Sequence, residues 1–414
     1  MKIVQIKRCF CLAGLITLLM FKPVSAQFIG FEILNRSGRT TFAFEKVNNL
    51  IIIPVTLNDR LPLNFILDSG VRTTILTDRE ISDVINISYD RVITIGGAGQ
   101  IRELNAYLAS NVSLSMPGIS GVGQSLIVLE EDYLELRSHL GMNVHGIIGY
   151  EFFNHFVVRI DYDRKLITVF DPDTFKPGRR FSGIPFTIEQ GRPYIYTTIT
   201  QYDGTVINPK LLIDSGASHG LLLETDTNPE IVLPEERLET IIGWGLGGEL
   251  SGYLGRVRSL AVDDFLFRDV LVSFTNGHTN TELARATGRN GSVGGELLSR
   301  FTVVFDYPGN MLYLRKNRTF SFPFDFNLVG IDILATGSDY NTFRIINVIK
   351  DSPAYEAGVR KDDIVLAVNW KHSTDLSITE INNMLRTGSG RKMSLTLFRN
   401  DEVIRVSFRL RRLI

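Results

Sequence analysis

The chain has 414 residues, 44% of them hydrophobic, and a formal net charge of -1. That is enough apolar material for two or three cores, and the balance gives no bias toward nucleic acid. The six histidines are scattered, and no His-Glu-x-x-His occurs, so neither a metal nor a cofactor is indicated.

Residues 1–26 place Lys2, Lys7 and Arg8 before the apolar run Phe10 to Phe21 and close on Pro23-Val-Ser-Ala26. That order predicts a secretory signal peptide cut before Gln27, and an exported protein, periplasmic or extracellular. The apolar run is short of the roughly 20 residues a membrane span needs; an uncleaved anchor is the alternative reading. Both cysteines, Cys9 and Cys11, fall in this leader, which leaves the rest of the chain without disulfide or thiolate chemistry.

From Phe28 onward, short β-rich runs alternate with turn residues: Leu50 to Leu57, Leu63 to Leu67, Val92 to Ile95, Leu126 to Leu129, Phe156 to Ile160 and Leu166 to Phe170. One helix is predicted, at Asp132 to Leu140. A linker with two prolines spans Asp171 to Arg180, and the alternation resumes in Tyr194 to Thr200, Lys210 to Ile213, Val257 to Val262, Val270 to Phe274, Phe301 to Phe305 and Met311 to Leu314. A second break surrounds Pro323. The expected division is a leader (1–26), a β lobe (27–175), a second β lobe (176–322) and a small α+β module (323–414).

The two lobes are copies. Phe65-Ile-Leu-Asp-Ser-Gly-Val-Arg-Thr-Thr-Ile75 corresponds to Leu211-Leu-Ile-Asp-Ser-Gly-Ala-Ser-His-Gly220, with Asp214 following Asp68 by 146 positions. Gly146 to Asp161 then matches Gly291 to Asp306 at an offset of 145. Each apolar run delivers an aspartate to a tight turn at the edge of a core. Two carboxylates sharing a site cannot both ionise easily, so such a pair supplies an acid and a base together. Each half also carries a glycine cluster: Gly96, Gly97 and Gly99 in the first, Gly243, Gly245, Gly247 and Gly248, with Trp244, in the second. Gly-rich hairpins let backbone approach a bound chain closely, as a flap over a cleft requires; ordinary surface turns are the plainer reading.

These residues resemble the aspartic proteases of the pepsin and retropepsin kind, in particular the bacterial group with two retropepsin-like lobes and a C-terminal PDZ module. Asp214-Ser215-Gly216-Ala217-Ser218 fits the family's Asp-Thr/Ser-Gly motif fully, and Ile147-Ile148-Gly149 fits the later apolar-apolar-Gly segment, while Ser292-Val293-Gly294 fits it loosely. Asp68-Ser69-Gly70 departs in its Val71-Arg72 sequel. An Arg72 aimed at the acids would depress the pKa of Asp68; the reading preferred here turns it to solvent, with Thr73 and Thr74 inward. The resemblance implies a mostly β protein whose lobes pack as a pseudo-two-fold pair, with Asp68 and Asp214 catalytic. Ser69, Gly70, Ser215 and Gly216 would fix their turns, and Gly96, Gly97, Gly99, Gly243, Trp244 and Gly245 would cover the substrate.

Asp351-Ser-Pro-Ala-Tyr-Glu-Ala-Gly358 and the residues after it resemble a PDZ domain. By that resemblance Phe343 to Ile349 is the groove strand, Ser377 to Leu385 the groove helix, and Met393 to Phe398 with Val403 to Leu410 a closing hairpin. Leu328, Val329, Gly330 and Ile331 would form the loop that catches a ligand's carboxylate, although Gly330 could simply open a strand.

Two other motifs lack their context. Gly216-Ala-Ser218-His-Gly220 has the spacing of a nucleophile elbow without the following helix. Gly243 to Gly248 has the spacing of a dinucleotide fingerprint without a βαβ unit. The sequence thus points to an endopeptidase with an intramolecular dyad, acting on peptide or protein substrates with a possible C-terminal peptide ligand. The rival is an inactive peptide-binding scaffold acting through its C-terminal groove.

Overall fold

Branched and aromatic runs bounded by Gly, Asn and Asp turns become strands throughout, and in the computed structural model the protein is mostly β. Residues 29–96, 103–275, 286–386 and 388–414 are described. The expected leader, with Gly97 and Gly99, lies outside the described residues.

A nine-stranded sheet takes its strands from residues 45–148 and a ten-stranded sheet from 187–293. The two share an inner layout. Leu61–Leu67 pairs in parallel with Gly146–Ile148, which also pairs antiparallel with Thr74–Leu76. Lys210–Ile213 pairs in parallel with Gly291–Val293, which pairs antiparallel with Leu221–Leu223. Each acid strand therefore has a later segment of its own half inserted beside it, which its near-continuous apolar sequence allows because both faces are covered.

A six-stranded sheet joins the halves, with Val157–Asp161 antiparallel to Phe301–Asp306. Val157 faces Asp306 and Asp161 faces Thr302, so the repeat meets itself about a pseudo-two-fold axis, like an isologous interface within one chain. One buried apolar cluster runs through both halves and this sheet. A second joins the first half to the C-terminal module, with Leu140 and Val144 packed together with Ile331, Ile333, Ile378 and Ile381.

Two sequence expectations need correction. The helix expected at Asp132 to Leu140 is only Leu136–Leu140, because Glu135 before it takes a left-handed φ of 45° and Gly141 ends it at φ 61°. The strand expected to border the C-terminal groove, found at Thr342–Val348, is interior, with Ile331–Thr336 on one side and Ile364–Val368 on the other. The edge belongs to Ile331–Thr336, and the helix Ile378–Arg386 lies beside it. That helix starts on a capping box: Glu380 Oε2 accepts from Ser377 N at 2.8 Å, and Ser377 Oγ accepts from Glu380 N at 3.3 Å. The closing hairpin turns at Asn400 and Asp401, with φ of 48° and 62°, the pair of left-handed residues a two-residue hairpin turn requires.

Candidate active site

Each acid is fixed first by its own half. Asp68 N donates to Ile148 O and Asp214 N to Val293 O, both at 2.9 Å. Behind them only glycine fits: a Cβ on Gly149 would lie 2.3 Å from Asp68 O, and one on Gly294 2.4 Å from His219 O. The apolar-apolar-Gly segments therefore let a second strand close on the turn.

The halves then lock through their serines. Ser69 Oγ donates to Ile213 O at 2.7 Å and accepts from Ser215 N at 3.0 Å. Ser215 Oγ donates to Leu67 O and accepts from Ser69 N, both at 2.9 Å. Both serines are fully buried, so these four bonds have no competing water and hold the acid turns rigidly opposed. Gly70 N donates to Asp68 Oδ1 at 2.6 Å and Gly216 N to Asp214 Oδ1 at 3.0 Å.

The carboxyls face each other. A Cβ on Gly70 would lie 3.0 Å from Asp214 Cγ, and one on Gly216 2.1 Å from Asp68 Cγ, so each acid leans over the other's glycine. Burial, reinforced by the charge of Asp214, pushes the Asp68 carboxyl well above the usual carboxylate range; the Gly70 amide and Arg192 pull the other way. The pair thus retains a shared proton to higher pH than a lone aspartate.

Two residues that sequence reasoning missed support the first turn. Arg192 Nε donates to Gly70 O at 2.7 Å, and Tyr307 OH donates to Ser69 O at 3.3 Å. Tyr307 directly follows Asp306, the last residue of the repeat, as Tyr162 follows Asp161, which is a signal the sequence carries; nothing in the sequence around Arg192 signals its reach across the lobes. Arg72 is exposed and stands outside the cleft, with Thr74 buried in its place.

The acids open into a cleft of about 610 Å³. The long hairpin Arg237–Gly245 with Gly248–Val262 borders it and carries Gly243, Trp244 and Gly245 to the wall. Trp244 packs against His139 of the first half, ring centroids 4.6 Å apart and planes tilted by 39°. Gly96 does not line this wall, and a Cβ there would meet no atom of the described residues within 4 Å. His219, which adjoins the second turn, is held by Ser292 Oγ at 2.9 Å and kept neutral by burial. Among the described residues no imidazole hydrogen-bonds Ser218, and the adjacent His219 ring is engaged by Ser292 Oγ.

The C-terminal module supplies part of the same wall through Asp332, Ile333, Asn382 and Arg386. Residues 344–399 match the family model of the PDZ domain. The expected carboxylate loop of this PDZ domain is already satisfied internally. Val329 N and Gly330 N both donate to Asn327 Oδ1 at 2.9 Å, and Leu328 N donates to Leu385 O at 2.9 Å. Asn327 Nδ2 also donates to Ile331 O.

No curated protein matches the chain. Among solved structures it is similar to conglutin gamma, a basic 7S globulin from lupine seeds, at 11% identity and a TM-score of 0.42, covering 68% of this chain and 95% of that one.

Proposed function

We propose that the chain is an aspartic endopeptidase whose dyad is Asp68 and Asp214, exported to the periplasm or beyond, with peptide or protein substrates. The observation that carries this reading is the reciprocal serine lock, which holds two half-buried carboxyls opposed in a cleft of about 610 Å³. A pair that keeps one proton performs both halves of peptide hydrolysis. The ionised carboxylate takes a proton from a water as its oxygen adds to the peptide carbonyl, and the protonated carboxyl gives its proton to the carbonyl oxygen. The roles then exchange as the C–N bond breaks and the amine leaves protonated.

The Gly70 and Gly216 amides hold one oxygen of each acid, so the remaining oxygens face the reacting water. The hairpin bearing Trp244 supplies backbone beside the substrate, which favours extended chains. The PDZ domain adds a second peptide-binding element.

The test is digestion of a peptide library by the intact chain and by Asp68→Asn and Asp214→Asn. Either substitution should lower hydrolysis by on the order of a thousandfold or more while the fold persists; cleavage retained by both variants would dismiss the dyad.

A further inference from the structure

An extended peptide adds to a PDZ domain at a free sheet edge with a helix beside it, here between Ile331–Thr336 and Ile378–Arg386. That place is filled by the first lobe. A Cβ on Gly141 would lie 3.0 Å from Ile378 Cγ2 and 3.5 Å from Ala335 Cβ, so the backbone at 141 sits between edge strand and helix. Leu140 and Val144 share the apolar cluster of Ile331, Ile333 and Ile381. Asn382 Nδ2 donates to Asn48 Oδ1 at 3.0 Å, and Asn48 Nδ2 donates to His139 O at 3.1 Å. The same short helix reaches the cleft through His139, packed at a tilt against Trp244 and held neutral by burial, its pKa down at about 4. One element of lobe 1 thus touches the PDZ groove on one side and the Trp244 hairpin on the other.

We infer that the groove holds the helix Leu136–Leu140 and its exit turn as an internal ligand, and that an extended peptide with apolar side chains competes for this groove. Displacing the helix releases the support under Trp244 and widens access to the acids. That last consequence rests on the endopeptidase reading; the competition does not.

The spacing between positions 141 and 335 permits a lock, because a disulfide needs Cβ atoms about 3.5–4.5 Å apart. Gly141→Cys with Ala335→Cys, in a chain whose Cys9 and Cys11 are replaced by Ser, should close to a disulfide seen by mass. Binding of a short fluorescein-labelled peptide of alternating Val and Ser with a free carboxyl terminus is then followed by anisotropy. The reduced form should bind it, and the oxidised form at least about tenfold more weakly, a loss of about 1.4 kcal/mol. Equal binding in both forms, or none in either, would overturn the competition. Cleavage is measured on the same samples: redox-dependent binding without cleavage would sink the endopeptidase reading alone.

Because Gly141 has φ 61°, where cysteine is strained, Asn48→Ala gives an independent arm. Removing that bridge should tighten peptide binding by about fivefold; unchanged or weaker binding would contradict the inference.

Discussion

The turns at Asp68 and Asp214 share the tripeptide Asp-Ser-Gly and the same crossing bonds, but different residues stand behind them. Ile66 pairs with Ile52 and Leu212 with Tyr194, so Leu50 and Arg192, two residues earlier on each partner strand, occupy equivalent places. Leu50 is buried and apolar, whereas Arg192 brings a guanidinium to the Gly70 carbonyl. Tyr307 donates to Ser69 O, while its counterpart Tyr162, at an offset of 145, has a buried hydroxyl with no hydrogen-bond partner among the described residues. The second turn receives a neutral contact instead, Asn49 Nδ2 to Ser218 O at 3.1 Å. A repeat can keep the geometry that chemistry requires while the two acids are placed in unequal fields, and unequal carboxyls are what an acid–base pair uses.

The strongest way to break the symmetry is to crowd it. Gly216→Ala, with a Cβ 2.1 Å from Asp68 Cγ, should push the acids apart and lower kcat/KM by on the order of a hundredfold. Gly70→Ala, with a 3.0 Å approach to Asp214, should lose markedly less. Equal losses in parallel assays would mean that the turns are not unequal.

Asp68→Asn should also change stability. Burial and Asp214 raise the folded-state pKa of Asp68, so its contribution to stability is fully present below the unfolded carboxyl range and is lost as pH rises through the raised value. The variant should therefore gain Tm at pH 7, roughly 2–4 °C for each kcal/mol recovered, and gain nothing at pH 3, as calorimetry at the two pH values would read.

Arg192→Leu gives the first turn an apolar residue like the one behind the second. Among the described residues the charged and titratable groups acting on Asp68 are Asp214, Arg192 and Tyr307, and of these only Arg192 favours its ionised form. Without it the pair holds its proton to higher pH, so the acidic limb of kcat/KM should move upward; a profile that falls uniformly would assign Arg192 a structural role only. The smallest expected effects are in the tyrosines. Tyr307→Phe should cost about 1 kcal/mol in urea unfolding, whereas Tyr162→Phe, losing a hydroxyl with no hydrogen bond among the described residues, should cost nothing or gain up to about 1 kcal/mol.

The sequence by itself determined the mostly β class, the internal copy and the C-terminal module, because alternating apolar runs, glycine turns and a repeated tripeptide are local signals that each element carries with it. It also singled out Asp68, Asp214 and the two serines, although not the crossing of the serines into each other's strands. Only the tertiary structure decided which strand borders the groove, that Asn327 satisfies the loop amides, that Arg192 and Tyr307 lean on one turn alone, and that lobe 1 fills the PDZ groove. Those facts depend on contacts between residues far apart along the chain, and a sheet edge or a neighbour's charge leaves no period in the sequence from which it could be read.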